Sequence, residues 1–213
     1  MSQKSKSTSE SVKEAVVSAA NSDRDITLAI VDAVSGSLAD ARKHTADVGS
    51  AISEVVRGAF QGIGEIGADV RKGAKGTLIG VLRASREAGR GALDAVTTTA
   101  GVVVKSTAHF GGDLKMAAEG VVEGAIAGAK DLRLDVGEAA SAAANSALKA
   151  ASEIGATARE QVHGAVEGTI AGVKVVLGDE EARSRDAGKS KPARSGRTGQ
   201  KSGHGRSTGK AAS

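Results

Sequence analysis

Residues 119–130 read EGVVEGAIAGAK, and the order of small and branched side chains in that stretch decides the fold. Val121, Ala125 and Ala129 stand four residues apart, and Leu132 follows three later, so apolar positions recur in steps of four, four and three. Eleven residues make three helical turns of about 3.67 residues, so positions eleven apart lie on one nearly straight line along a helix. Followed outward, the line through Val121 continues as Val55, Ile66, Phe110, Leu132 and Ile154. The line through Ala125 runs Ala59, Val70, Val81, Val103, Leu114 and Val136, and the line through Ala129 takes in Ile63, Val162 and Val173. Between Val48 and Val176 none of the three lines contains Asp, Glu, Lys or Arg. The rhythm holds from about Val12 to Leu177. It predicts an all-α fold of long amphipathic helices with eleven-residue (hendecad) periodicity.

Copies of the stretch keep the register. VVRGAFQG begins at Val55, VVEGAIAG at Val121 and AVEGTIAG at Ala165, at separations that are whole multiples of eleven. Duplication by whole units preserves an apolar strip, whereas a merely Ala- and Gly-rich composition does not. The strip spans an arc of roughly 165°, wider than a coiled-coil seam. Its residues are mostly Ala, Val, Thr, Ile and Gly, so the face is shallow. Burying a Val stabilises by about 1.5 kcal/mol or more, an Ala methyl by less than about 1 kcal/mol.

Composition sharpens the point. Apolar residues make up 40% of the chain, but aromatics only 1%, with Phe60 and Phe110 and no Trp or Tyr. Large aromatic side chains dominate ordinary cores. The 22 glycines between Gly49 and Gly178, at about 1 kcal/mol each relative to Ala, cost on the order of 20 kcal/mol of helix stability. The expectation is a chain without a self-sufficient core, loosely helical alone and helical when its strip is covered. Some glycines form rows: Gly120, Gly124 and Gly128, Gly164, Gly168 and Gly172, and the shorter Gly58 with Gly62 and Gly76 with Gly80. Rows with four-residue spacing let helix backbones approach closely. They read equally as a helix–helix seam or as a means of lowering helicity.

Three segments are expected: a Ser- and Lys-rich disordered N-terminus over 1–11, the repeat region over 12–178, and a disordered basic tail over 179–213. A first helix starts near Ser11, and Ser22 with Asp25 is a weak second capping signal. Gly111-Gly112 is the candidate hinge of a long helical hairpin. The tail holds Lys189, Lys191, Arg194, Arg197, Lys201, Arg206 and Lys210 without an acid after Ala187. Removing these seven from the net charge of +4 leaves −3 on the remainder. Such a tail suits nucleic acid or another polyanion, or serves only to solubilise; without aromatics it does not stack on bases.

No catalytic, cofactor-binding or metal-binding residues are assigned. Gly62, Gly64 and Gly67 spell G-x-G-x-x-G, but a dinucleotide site needs a preceding strand, and here the helical register runs straight through. Gly188-Lys189-Ser190 ends like a P-loop, yet Arg183 stands where its first glycine belongs. His44, His109, His163 and His204 lack metal-ligand spacing, and with no Cys there is neither disulfide nor thiolate chemistry. Asp69, Asp113 and Asp135 read as solvated or salt-bridging members of the polar face. MSQKSKSTSESVKE is not a secretory signal, and uncharged runs such as 95–104 are too short to cross a bilayer. The expected location is cytoplasmic, peripheral on a membrane or granule.

The units EGVVEGAIAGAK from Glu119 and EQVHGAVEGTIAGVK from Glu160 resemble the eleven-residue repeats of synucleins and perilipins. They share a Glu-Gly or Glu-Gln start, a Val/Ala/Thr/Gly face and a Lys at its edge. More distantly the pattern is similar to late embryogenesis abundant proteins and apolipoproteins, and in design to the phasins of polyester granules. The resemblance covers about three quarters of the chain and rests on periodicity and composition. It departs from synucleins in lacking evenly repeated Lys pairs, and from late embryogenesis proteins in having more Val and Gly. The resemblance implies a chain that becomes helical on a lipid, droplet or granule surface. Three functions remain open: a non-enzymatic surface coat, a stress protectant that folds on drying, and a self-assembling helical homo-oligomer whose glycine rows pack chain to chain.

Overall fold

Helices begin at Ile26, Val48, Val70, Ala92, Leu114 and Val136, a constant step of two eleven-residue units. The computed structural model describes residues 7–20, 26–44, 48–87 and 91–178. Among them are α1 (Thr8–Ala20), α2 (Ile26–His44), α3 (Val48–Ile66), α4 (Val70–Glu87), α5 (Ala92–His109), α6 (Leu114–Leu132), α7 (Val136–Ile154) and α8 (Ala156–Val166). A small antiparallel ribbon follows, β1 (Thr169–Ile170) and β2 (Val173–Lys174), with Thr169 opposite Lys174 and Ile170 opposite Val173. The fold is all-α. Among the described residues the chain turns after Ile66, His109 and Leu132, so neither an unbroken helix nor one hairpin hinged at Gly111-Gly112 describes it; that pair forms one of three similar joints.

Three of the joints have a common local cause. Gly67 and Gly111 adopt φ of 61° and 70°, and Arg133 takes the same left-handed conformation at φ 57°. The amide after each bonds back to a carbonyl five residues earlier: Ala68 to Ile63, Gly112 to Thr107 and Leu134 to Ala129, closing the helix as a Schellman motif. The next residue is an Asp that starts the following helix. Asp69 accepts from the amides of Arg71 and Lys72, Asp113 from Lys115 and Met116, and Asp135 from Glu138. These three aspartates are therefore N-caps, a correction to their reading as polar-face residues. α1 is capped by Ser7, whose hydroxyl accepts from Glu10, and starts ahead of the expected Ser11. The Ser22–Asp25 signal lies outside the described residues, as does all of 179–213.

Each helix packs against the one two places earlier as well as against its sequence neighbours. The odd helices α1, α3, α5 and α7 form one row and the even helices α2, α4, α6 and α8 a second, with a continuous core between them. That core corrects the expectation of a chain unable to bury its own strip. It is built of small residues: Ala74, Ala117, Ala118, Ala125, Ala129, Ala140 and Ala147 are fully buried beside Val55, Val81, Val103 and Val121. Phe60 is its one buried aromatic among the described residues. Bulk is unnecessary where backbones come close enough for methyl groups to touch backbone.

The repeat ends where its third copy departs from helix. α8 stops at Val166, and Ala171 and Gly172, at φ 47° and 80°, make a two-residue turn of the hairpin type between the strands. The segment after β2 lies on α7. The amide of Val176 donates to Ser141 Oγ (3.0 Å), Asn145 Nδ2 donates to the Val176 carbonyl (3.0 Å), and Gly178 donates to Asn145 Oδ1 (2.7 Å).

Candidate functional site

The uncharged strip and its glycine seams are the candidate site. Val55, Ala59, Ile63, Val81, Val103, Leu114, Val121, Ala125 and Val162 are buried between the rows. Ile66, Val70, Leu132, Val136 and Val173 are half-buried, while Phe110 and Ile154 are exposed. Apart from Val173 in the ribbon, the half-buried and exposed members stand at the joints. The strip sinks into the core at mid-helix and surfaces where helices end.

The glycine rows explain how the rows stack. A Cβ on Gly58 would overlap the Ser9 carbonyl, and one on Gly62 would lie 3.1 Å from the Lys13 carbonyl, so α3 sits backbone-on-backbone against α1. On α4, Gly76 and Gly80 would each place a Cβ 2.9 Å from a carbonyl of α2, that of Thr27 or Val31. On α6, Gly120 meets Arg71 of α4, Gly124 would come 2.8 Å from the Lys75 carbonyl, and Gly128 would come 2.5 Å from Leu82 Cδ1. Stacked helices run parallel, since each later glycine meets a residue a nearly constant number of positions earlier. The second predicted row does not behave this way. Gly164 has open space where a Cβ would be, and Gly168 and Gly172 take positive φ in the ribbon because α8 has already ended.

Ion pairs follow the same stacking and share one polarity. Lys13 pairs with Glu65, Arg71 with Glu119 and, at 3.8 Å, with Glu123. Lys75 pairs with Glu123 at 3.6 Å, Arg83 with Asp131 at 3.6 Å and Lys105 with Glu153 at 2.6 Å. In every case the cation is on the earlier helix and the carboxylate on the later one. The Lys105 ammonium, by hydrogen bond and by charge, holds the Glu153 carboxyl below its ordinary value of 4.5, with the Lys149 charge adding to the effect. These pairs are substantially solvated, and exposed pairs are worth about 0–1 kcal/mol. Their use is register: they reject a slipped stack more than they strengthen the right one.

Two buried hydroxyls, Thr77 Oγ1 and Thr99 Oγ1, make no hydrogen bond. Both belong to the strip line of Val121, one helix apart. Gly62, Gly64 and Gly67 lie on α3 and its closing turn, with no strand before them among the described residues. His109 stands edge-on to Phe110 (5.0 Å between centroids, 78°), and His163 lies 3.6 Å from Glu167. His204 and the tail cations Lys189, Lys191, Arg194, Arg197, Lys201, Arg206 and Lys210 lie outside the described residues. Among the described residues no helix is long and apolar enough to cross a membrane, and no three His, Asp or Glu side chains gather as for a metal.

The joints and the ion pairs along each row follow spacings other than eleven residues. Asp25, Asp47, Asp69, Asp113 and Asp135 recur at multiples of 22 residues, each followed by Ile, Val or Leu. That second period, twice the first, marks the capped joints at Asp69, Asp113 and Asp135, while Asp25 and Asp47 lie outside the described residues. Compared with known proteins, the sequence matches no family model and no curated relative.

Proposed function

We propose that this is a non-enzymatic, surface-active helical-repeat protein that stores its uncharged strip inside and turns it outward on a lipid, droplet or granule surface. The observation that carries this reading is that joints of the repeat close locally, at Gly67–Asp69, Gly111–Asp113 and Arg133–Asp135, so that α6 is capped at both its ends, by Asp113 and by the left-handed turn at Arg133. A helix capped at both ends can leave its neighbours without stranding backbone amides or carbonyls. The neighbours it leaves are bound largely through Ala and Val, which bury less apolar area per residue than bulky side chains do. A lipid interface offers the strip an equivalent apolar environment.

The test uses the absence of native Cys. Ala125→Cys places a single thiol at a fully buried site of the strip. In buffer the thiol should be shielded from a water-soluble maleimide. With phosphatidylcholine vesicles it should become reactive to a membrane-soluble maleimide while helicity is retained and the protein floats with the vesicles. No flotation, and a thiol shielded from both reagents, refutes the coat.

The one-way polarity of the ion pairs favours a second reading, a helical scaffold whose strip stays packed. Under that reading the thiol remains shielded with vesicles. The tail of seven cations is proposed to bind nucleic acid without sequence preference. Each phosphate contact should lower log K by about 0.9 per unit of log salt on duplex DNA, and the chain cut after Gly178 should show no binding.

A further inference from the structure

Between α3 and α5 the seam lacks both the glycines and the carboxylate that α1 and α3 use. On α1 and α3, Lys13 pairs with Glu65 while Gly58 and Gly62 bring the backbones together. Forty-four residues on, the same four places hold Arg57, His109, Val102 and Ser106. Side chains now stand where glycines closed the seam, and an imidazole stands where a carboxylate met the cation. The result is a groove of about 510 Å³ lined by Ser53, Arg57, Val102, Lys105, Ser106, His109 and Phe110. No carboxylate lines it. Lys105 reaches Glu153 of α7 at 2.6 Å, and the His109 ring is steadied edge-on by Phe110.

We propose that this groove binds a phosphate-class oxyanion, which supplies the negative charge that the repeat omits here. A guanidinium, an ammonium, an imidazole and the Ser106 hydroxyl offer more donors than one carboxylate can accept, while the Ser53 hydroxyl donates to the Gly49 carbonyl and is left as an acceptor. A phosphomonoester, with three terminal oxygens and a good fit to the guanidinium fork, uses them better. Val102 and Phe110 add an apolar wall beside the cations, suited to the stem that carries the phosphate. The volume falls within the range of small-molecule sites, about 300–1,000 Å³. The site is independent of the strip's turning outward, since its ligand enters from solvent with the stack intact.

Full-length protein is titrated with inorganic phosphate and, separately, with monomeric dihexanoyl phosphatidic acid. Heat is measured by calorimetry and the histidine ring signals by NMR. The tail is present in every sample, so its own anion binding cancels between variants and does not move the His109 ring. Saturable binding that shifts His109 is expected for at least one probe, weakened about tenfold or more by Arg57→Gln. His109→Glu restores the Lys13–Glu65 arrangement and should abolish binding while raising the unfolding temperature, which shows that the variant is folded. Tighter binding of the phosphatidic acid assigns the ligand to a lipid headgroup; equal affinity assigns it to a free phosphate ester. The proposal is overturned if neither probe saturates by about 10 mM, if His109 does not shift, or if Arg57→Gln and His109→Glu bind like the wild type.

Discussion

Replacing Gly124 by Ala sets two effects of opposite sign against each other. In an isolated helix the change stabilises by about 1 kcal/mol, because Gly is the poorer helix former. In the stack, the new Cβ would lie 2.8 Å from the Lys75 carbonyl oxygen, 3.0 Å from Leu78 Cβ and 3.1 Å from Lys75 Cα. Two of these three atoms are backbone, so no rotamer change relieves the contact. α6 has to move off α4 by several tenths of an ångström, loosening contacts around Leu78 and Leu82 along the seam. Overpacking of this kind costs about 1–3 kcal/mol, occasionally more, so the gain in propensity is cancelled and the net expectation is a loss of about 0–2 kcal/mol. For a folded unit of this size that is a fall of up to about 8 °C in Tm. Gly164→Ala is the matched control, helical but facing open space, and should stabilise by about 0.5–1 kcal/mol. Urea unfolding followed by circular dichroism at 222 nm gives both values. If Gly124→Ala stabilises as Gly164→Ala does, the helices do not pack through this seam, and the strip is not consumed by the protein's own core.

Asp113→Ala removes acceptors for the Lys115 and Met116 amides, and should lower stability by about 1 kcal/mol in the same assay. Thr77→Val and Thr99→Val each replace a buried hydroxyl that has no partner. Each should therefore raise the urea midpoint, by about 1 kcal/mol of stability. The Lys105–Glu153 pair makes a pH prediction whose sign follows from the depressed carboxyl. Its contribution is present above the ordinary value of 4.5 and is lost as pH falls through the lower folded-state value. The gap in unfolding midpoint between wild type and Glu153→Gln should accordingly be constant near neutrality and close in acid. A gap that widens below pH 4.5 contradicts the pairing.

Helix was legible in the sequence where the four-four-three spacing ran as far as Val166, though the same spacing beyond it forms the ribbon, and the identity of the strip was legible too: residues such as Val55, Val121 and Ala125 were singled out and lie together inside the stack. The joints were half legible. Gly111-Gly112 stood out for its two glycines, but Arg133, which turns the chain in the same way, carries no such mark. The glycine rows were ambiguous in principle. Gly120, Gly124 and Gly128 have the same spacing as Gly164, Gly168 and Gly172, yet only the first row has a helix opposite it. The groove at Arg57 and His109 was invisible, because its members are far apart in sequence and are related only by the offset between stacked helices.

By itself the sequence determined periodicity: where each side chain falls around a helix, which line stays uncharged, and where an Asp closes a turn. Those are local properties, set by 3.6-residue geometry and by bonds within a few residues. Only the tertiary structure decided what the strip faces. A small residue is a weak binder on an open surface and a strong packer where another backbone comes within van der Waals reach. Spacing along one chain cannot say whether that backbone arrives. Here it comes from the helix two places earlier, and the glycines that weaken each helix alone are what admit it.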